Sequence, residues 1–105
     1  MKRKIKFNQA INEAIYQAMD SDKKIVCYGL GVTDPRRVFY TTEKLVEKFG
    51  KDRVFDIPTS ENALTGVAIG LANLGSKVIL SHQRVDFSFL SMDQIINSLS
   101  KWYYM

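Results

Sequence analysis

The sequence contains little of what disulfide-stabilised, zinc-binding or membrane-spanning proteins need. Only one of its 105 residues is cysteine and only one is histidine, which excludes an internal disulfide and the usual zinc-ligand spacings. No apolar run approaches the roughly 20 residues that span a bilayer, and no Gly-x-x-x-x-Gly-Lys motif marks a P-loop. We therefore expect no metal ligands and no membrane contact. Cys27 is expected to be a buried apolar residue of a cytoplasmic protein.

The net charge of +4 raises the question of nucleic-acid binding. Four of the fifteen basic residues lie within the first six positions, and the others alternate with acidic residues. No basic helix and no motif that interleaves aromatic with basic residues is present, so the charge indicates a solvated surface with a basic N-terminal segment. The hypothesis of a nucleic-acid binder rests on net charge alone, and we do not expect a nucleic-acid partner.

Apolar residues alternate between helical and strand-like spacing along the chain. A helical stripe of Ile11, Ala14, Ile15, Ala18 and Met19 comes first, with Asn8 as the predicted cap. The predicted elements that follow are a strand at Ile25–Tyr28, a helix capped by Thr41 or Thr42 and closed by Gly50, a strand at Val54–Ile57, a helix over Ser60–Gly75, a strand at Val78–Leu80, and a helix opened by a capping box at Ser91–Gln94. This order predicts an α/β fold, a doubly wound parallel sheet flanked by helices.

Two further features concern the completeness of this fold. Gly66 and Gly70 lie four residues apart in a helix interior, at a cost of about 1 kcal/mol each against alanine, which indicates that another backbone packs closely there. Three strands are few for a parallel sheet, and the last strand is expected at an edge. We therefore expect an incomplete domain, either a fragment or a chain that completes its core with a partner.

Polar and aromatic residues follow the second and third predicted strands. Glu61 lies on the first turn of a helix just after the second strand, and His82, Arg84 and Phe87 follow the third strand. Open α/β sheets bind ligands at the carboxyl ends of their strands. If these two strands are neighbours, Glu61 and Phe87 line one crevice, which suits a flat heterocycle with a basic ring nitrogen.

Each of these residues also has a structural interpretation. Glu61 can be a first-turn charge favoured by the helix dipole. Arg84 and Asp86 can form a local ion pair, and His82 can cap the strand. The pair Gly29 and Gly31 lacks the third glycine and the immediate helix of a dinucleotide loop, so we do not expect such a cofactor.

Several separate motifs, in the same order along the chain, resemble one known family. They are Asp56–Glu61, Gly66–Gly70, Met92–Ser98 and Lys101–Met105. Together they resemble the pyrimidine-binding domain of transketolase-like proteins, in particular the β subunit of the decarboxylase component of 2-oxo acid dehydrogenase complexes. The resemblance implies a thiamine diphosphate-binding fold, of which residues 1–105 are the N-terminal part.

The resemblance also implies roles for individual residues. Glu61 matches the glutamate that hydrogen-bonds the aminopyrimidine ring and activates the cofactor, and Phe87 matches the aromatic residue that stacks on that ring. Thr59 is a further candidate for cofactor binding. The diphosphate and its magnesium ion would be held by a partner, either a diphosphate-binding domain or an α-type subunit, in a homo- or hetero-oligomer.

Two departures from the family pattern concern the substrate. Leu30-Gly31 stands where these β subunits usually carry an acidic pair, and His82-Gln83-Arg84 replaces apolar residues. His82 and Arg84 are therefore candidate substrate contacts, and a charged or hydroxylated substrate is the hypothesis. The alternative is a non-catalytic, truncated paralogue that acts as a protein-interaction module.

Overall fold

The computed structural model describes residues 2–105 as helices packed on a parallel sheet. The strands are β1 (Ile25–Gly29), β2 (Val54–Asp56) and β3 (Lys77–Ser81), and the α-helices are α1 (Phe7–Ser21), α2 (Arg37–Tyr40), α3 (Leu45–Phe49), α4 (Glu61–Asn73) and α5 (Val85–Ser88). The sheet order is β2-β1-β3. The α/β prediction is confirmed, and β3 lies at an edge as expected.

The sheet order does not meet the condition under which the crevice was predicted. β1 lies between β2 and β3, so the second and third strands are not neighbours. Cys27 of β1 is in register with Val54 on one side and with Ile79 on the other. Two strand spacings therefore separate β2 from β3, a distance of about 10 Å that the loops after the strands can bridge.

The core forms where α1 and α3 meet β1 and β2. Its buried apolar residues are Met19, Ile25, Cys27, Val32, Leu45 and Val54. The stripe predicted for α1 packs here through Met19, Ile15 and Ala18, whereas Ala14 is exposed.

The predicted Asn8 cap of α1 is wrong. Lys6 is the N-terminal boundary residue, its backbone N–H donates to the Gln9 side chain at 3.1 Å, and Asn8 Nδ2 instead donates to the Phe39 carbonyl at 3.1 Å.

The region before α3 is less regular than predicted. All four residues of α2 have positive φ, so this turn is wound left-handed. The Thr42 hydroxyl does not cap a helix, because it bonds the Val32 and Arg37 carbonyls at 2.9 Å each. α3 begins after Lys44 instead. Gly50 closes α3 with φ +83°, as predicted, since glycine tolerates this left-handed conformation.

The glycine pair of α4 does not face another backbone. A Cβ at Gly66 would lie 3.2 Å from the Gln94 side-chain oxygen, while a Cβ at Gly70 would meet nothing within 4 Å. The expectation of close backbone packing is therefore wrong within the part of the chain that the structure describes. Gly66 makes room for a side chain, and Gly70 is exposed.

The last helical segment begins earlier than the predicted capping box. It starts at Val85 with α5, continues as a 3₁₀ turn over Phe89–Ser91, and becomes a π-helix over Gln94–Leu99. Ser91 lies inside this segment with no role as a cap, because its buried hydroxyl bonds other residues. Within residues 2–105 no helix is both long and apolar enough to cross a membrane.

The buried position of Cys27 leads to a test of the core. Loss of hydration raises the pKa of its thiol from 9.0 to about 11. At pH 8 only about one such thiol in a thousand is ionised, and thiol reagents attack the thiolate. We expect a disulfide reagent at pH 8 to label Cys27 at least about 100-fold more slowly in the native protein than in urea, as measured by mass spectrometry of the peptide that contains Cys27. Equal rates would contradict its burial.

Candidate functional site

A narrow cavity lies at the carboxyl ends of the strands. The segment after each strand contributes to its wall, through Leu30 after β1, Ile57–Glu61 after β2 and His82–Gln83 after β3. Leu80 and Ser81 of β3, Leu64 and Phe87 complete the lining. The cavity has a volume of about 20 Å³, which is room for about one water molecule. The two predicted segments thus meet although β1 separates their strands.

Glu61 is the first residue of α4, directly after the boundary residue Ser60. Its side chain lines the cavity and is half-buried. The partial positive charge of the helix N-terminus favours a carboxylate there. Among the residues of 2–105 its carboxylate forms no hydrogen bond and no ion pair, which leaves its oxygens available to a ligand.

Two buried hydroxyls hold the backbone of Glu61. Ser91 Oγ donates to the Glu61 carbonyl at 3.0 Å, and Thr65 Oγ1 lies 2.8 Å from the same carbonyl and 2.8 Å from Ser91 Oγ. Sequence reasoning missed this cluster, because it interpreted Ser91 as a helix cap. No local signal indicates that a serine 30 residues away contacts the first turn of α4.

Phe87 lies in α5, one turn before Ser91. Its ring lines the cavity, and the guanidinium carbon of Arg84 lies 5.3 Å from the ring centroid. Arg84 also donates to both oxygens of Asp86, at 3.1 and 3.0 Å, so the predicted local ion pair is present. Both partners are exposed, which limits the contribution of this pair to stability.

The other sequence-predicted residues are distributed over two adjoining cavities. Thr59 and His82 line the same cavity as Glu61, Thr59 with an exposed and His82 with a half-buried side chain. Arg84 instead lines a neighbouring cavity of about 260 Å³, together with Gly31, Asp34, Arg36, Val38, Phe39 and Gln83. Gln83 borders both cavities.

Asp56, the last residue of β2, connects the segments that follow β1 and β2 through hydrogen bonds. One of its carboxylate oxygens accepts the backbone N–H groups of Gly31 and Ile57, both at 2.8 Å, and the other accepts the Thr33 hydroxyl at 3.3 Å. Gly31 has φ +80°, and a Cβ at Gly29 would collide with the Ser81 carbonyl, so both positions require glycine. The sequence analysis identified Asp56 only as part of a motif.

A larger cavity, of about 580 Å³, lies against the N-terminal half of α1 and away from the strand ends. Part of its polar lining is paired within the chain. Arg3 bonds both oxygens of Glu13 at 2.9 and 2.7 Å, and Asn12 Nδ2 donates to the carbonyls of Thr41 and Glu43. Volume alone does not make it the better candidate, since α1 and residues 40–44 line it and no residue after β2 or β3 does, whereas α/β proteins bind ligands at the carboxyl ends of their strands.

The comparison with known proteins agrees with the sequence motifs. The family model described as "Transketolase, pyrimidine binding domain" matches residues 3–105. A 3-methyl-2-oxobutanoate dehydrogenase subunit beta from Mycobacterium tuberculosis is 40% identical over 94 residues, which are 90% of this chain and 27% of that protein. A mitochondrial pyruvate dehydrogenase E1 component subunit beta-1 from Arabidopsis thaliana is 36% identical over 96 residues, 91% of this chain and 26% of that protein.

The matched residues include both walls of the cavity, the segment around Glu61 and the segment around Phe87. The chain spans about a quarter of the length of these curated relatives. Its parallel α/β sheet and the family match over nearly all of its residues agree with each other. The chain belongs to the transketolase pyrimidine-binding domain family.

Proposed function

We propose that this chain supplies the aminopyrimidine side of a thiamine diphosphate site in an enzyme of the transketolase or 2-oxo acid dehydrogenase type. The observation that carries the proposal is one cavity at the carboxyl ends of the strands, lined by the Phe87 ring and by the Glu61 carboxylate, which has no partner among residues 2–105. When bound, the cofactor supplies the carbon nucleophile for cleavage or transfer of a carbon–carbon bond.

The residues present fit such a group. A carboxylate can hold a proton between itself and a basic ring nitrogen, an aromatic ring can stack on a heterocycle, and Leu30, Leu64 and Leu80 give the cavity an apolar wall. The cavity itself holds about one water molecule. Glu61, Phe87 and Thr59 would therefore hold the ring from this chain's side, and the partner would complete the site.

Within this proposal each residue has one task. Glu61 hydrogen-bonds the ring nitrogen and moves a proton there as general acid and base. Phe87 supports the ring by stacking, and Thr59 contributes a polar contact at the rim. His82 and Arg84 are the substrate contacts of this proposal, and the charged and amide side chains of Asp34, Arg36 and Gln83, which line the same cavity as Arg84, favour a charged or hydroxylated substrate. Efficient turnover of simple 2-oxo acids would count against that substrate class.

The partner is part of the same proposal. Within residues 2–105 no three histidine, cysteine, aspartate or glutamate side chains come together to hold a metal ion. We therefore assign the magnesium ion and the diphosphate to a diphosphate-binding domain or an α-type subunit, in an oligomer with this chain. A cytoplasmic location is part of the same proposal and would be tested by cell fractionation.

Calorimetric titration tests the proposal directly. The full-length protein that carries this chain is titrated with thiamine diphosphate and Mg²⁺, alone and after mixing with its diphosphate-binding partner. We expect binding only in the mixture, and we expect Phe87→Ala to weaken it about tenfold, because base–aromatic stacking contributes about 1–3 kcal/mol. Phe89→Ala is the matched control, since Phe89 is exposed on the same segment and lies outside the cavity lining.

The outcomes separate the two candidate functions. Binding in the mixture that Phe87→Ala weakens and Phe89→Ala does not would support the cofactor half-site. Absence of binding in both samples, with a folded protein, would instead favour a non-catalytic interaction module.

A further inference from the structure

One buried polar cluster joins two sides of the cavity. One side is formed by α4 and the other by the last helical segment. Ser91 is fully buried and Thr65 is 6% exposed. Their hydroxyls lie 2.8 Å apart, and both lie within 3.0 Å of the Glu61 carbonyl. Buried hydroxyls without partners are costly, so this mutual satisfaction fixes the distance between the two helical elements.

The two hydroxyls differ in what they connect. The bond from Thr65 to the Glu61 carbonyl is local, four residues along one helix. The bond from Ser91 spans 30 residues and ties the segment that carries Phe87 to the first turn of α4. It is therefore the buried link between the elements that carry Glu61 and Phe87.

The number of hydroxyl protons determines which hydrogen bonds the cluster can form at one time. Each hydroxyl has one proton to donate. If Ser91 donates to the Glu61 carbonyl, Thr65 can donate to Ser91 Oγ or to the same carbonyl, since it lies 2.8 Å from each. Removing the Ser91 hydroxyl leaves Thr65 with its local bond only. The peptide group of Glu61 then keeps a partner within its own helix but loses its link to the Phe87 segment.

A second set of contacts supports the same interface at its exposed edge. Asn62 Oδ1 accepts the backbone N–H of Gln94 at 3.3 Å, and Asn62 Nδ2 lies 3.4 Å from an Asp93 oxygen. These bonds are long, and Asp93 is exposed. They hold the helices together without fixing the Glu61 peptide itself. Loss of Ser91 should therefore shift the first turn of α4 without separating the two elements.

We propose that Ser91, together with Thr65, is a positioning residue that sets the Glu61 carboxylate against a ring stacked on Phe87. This inference rests on the proposed function. A displacement of about 1 Å at a reacting group can cost about 100-fold in rate. The hydroxyl bridge thus acts on the proton transfer at the cofactor ring and not on the affinity of the site for it.

The test uses the full-length protein assembled with its diphosphate-binding partner. For Ser91→Ala we expect kcat and the rate of deuterium exchange at the thiazolium carbon of bound cofactor to fall about 10- to 100-fold. Cofactor affinity and KM should change by less than about threefold. Thr65→Val should show a smaller effect in the same direction, and Thr65→Ser, which keeps the hydroxyl, should restore wild-type values.

Ser98→Ala is the matched control, because Ser98 lies on the same segment and its hydroxyl makes no hydrogen bond to another residue of 2–105. Deuterium exchange is the deciding measurement, because a residue that only stabilises the fold lowers the melting temperature and leaves exchange in the folded complex unchanged. A wild-type rate of deuterium exchange in Ser91→Ala would overturn this inference but leave the proposed function standing. Failure of the wild-type complex to bind thiamine diphosphate would overturn the proposed function as well.

Discussion

Replacement of Glu61 by glutamine is expected to lower kcat of the assembled full-length enzyme by about 100- to 1,000-fold, because proton transfer by a positioned side chain contributes on the order of 10²–10⁴. Glutamine keeps the length of the side chain and can still hydrogen-bond a ring nitrogen, but it cannot take up or release the proton. Cofactor affinity should therefore change by less than about fivefold. The measurements are steady-state kinetics, calorimetric titration with thiamine diphosphate, and deuterium exchange at the thiazolium carbon.

Two further variants make this result specific. Glu61→Asp keeps the acid but withdraws it by one methylene group, so its kcat should lie between those of the wild type and Glu61→Gln. Glu43→Gln is the control, because Glu43 is an exposed acid away from the strand ends. Wild-type turnover by Glu61→Gln would mean that Glu61 is only a first-turn charge. Its loss would then cost about 0.3–1 kcal/mol of stability through the helix dipole and nothing in activity.

The sequence predicted the elements better than their arrangement. Strands such as Ile25–Tyr28 were recognisable because a continuous apolar run bounded by glycine is a local signal. Sheet order is not local, so the sequence left open whether β2 and β3 are neighbours, and in the structure they are not. Glu61 and Phe87 nevertheless line one cavity. All strands of a parallel sheet direct their carboxyl ends to the same edge, whatever their order.

The errors in helix boundaries have a common physical cause. Asn8, Thr42 and Ser91 are residue types that bond backbone groups readily, and each was assigned to the nearest helix end. In the structure Asn8 bonds Phe39, Thr42 bonds Val32, and Ser91 bonds Glu61. A cap residue and a tertiary anchor have the same side chain, and only the folded chain determines which partner is within reach.

The structural role of Arg53 was likewise not predicted from the sequence, although this residue joins three parts of the fold. It immediately precedes β2, and its Nε donates to the Ile25 carbonyl at 3.0 Å. Its Nη2 donates to the carbonyls of Met19 and Asp22 at 2.8 and 2.9 Å. The guanidinium also lies 5.0 Å from the centre of the Phe49 ring. The end of α1, the start of β1 and the start of β2 are thus held by one planar group.

We therefore expect Arg53→Lys to lower the free energy of unfolding of the full-length protein by about 2–4 kcal/mol. Hydrogen bonds to charged groups contribute about 1.5–3 kcal/mol each, and the value is reduced here because Arg53 is half-exposed. A lysine ammonium keeps the charge but is a single point, so it cannot reach three carbonyls fixed around a planar fork. Urea unfolding measures the change in the free energy of unfolding. An unchanged slope of this free energy against urea concentration would show that the native fold is retained.

Arg36→Lys is the matched control, since Arg36 is exposed and its guanidinium bonds no other residue of 2–105, and its effect should stay within about 0.5 kcal/mol. Equal stability of Arg53→Lys and the wild type would mean that water replaces the lost bonds. Arg53 is not part of the cavity lining and precedes β2, at the end of the strand opposite to the cavity, so below its unfolding transition Arg53→Lys should bind the cofactor within about threefold of the wild type. Stability and cofactor activation would then be separable, with Arg53 responsible for the first and Glu61 for the second.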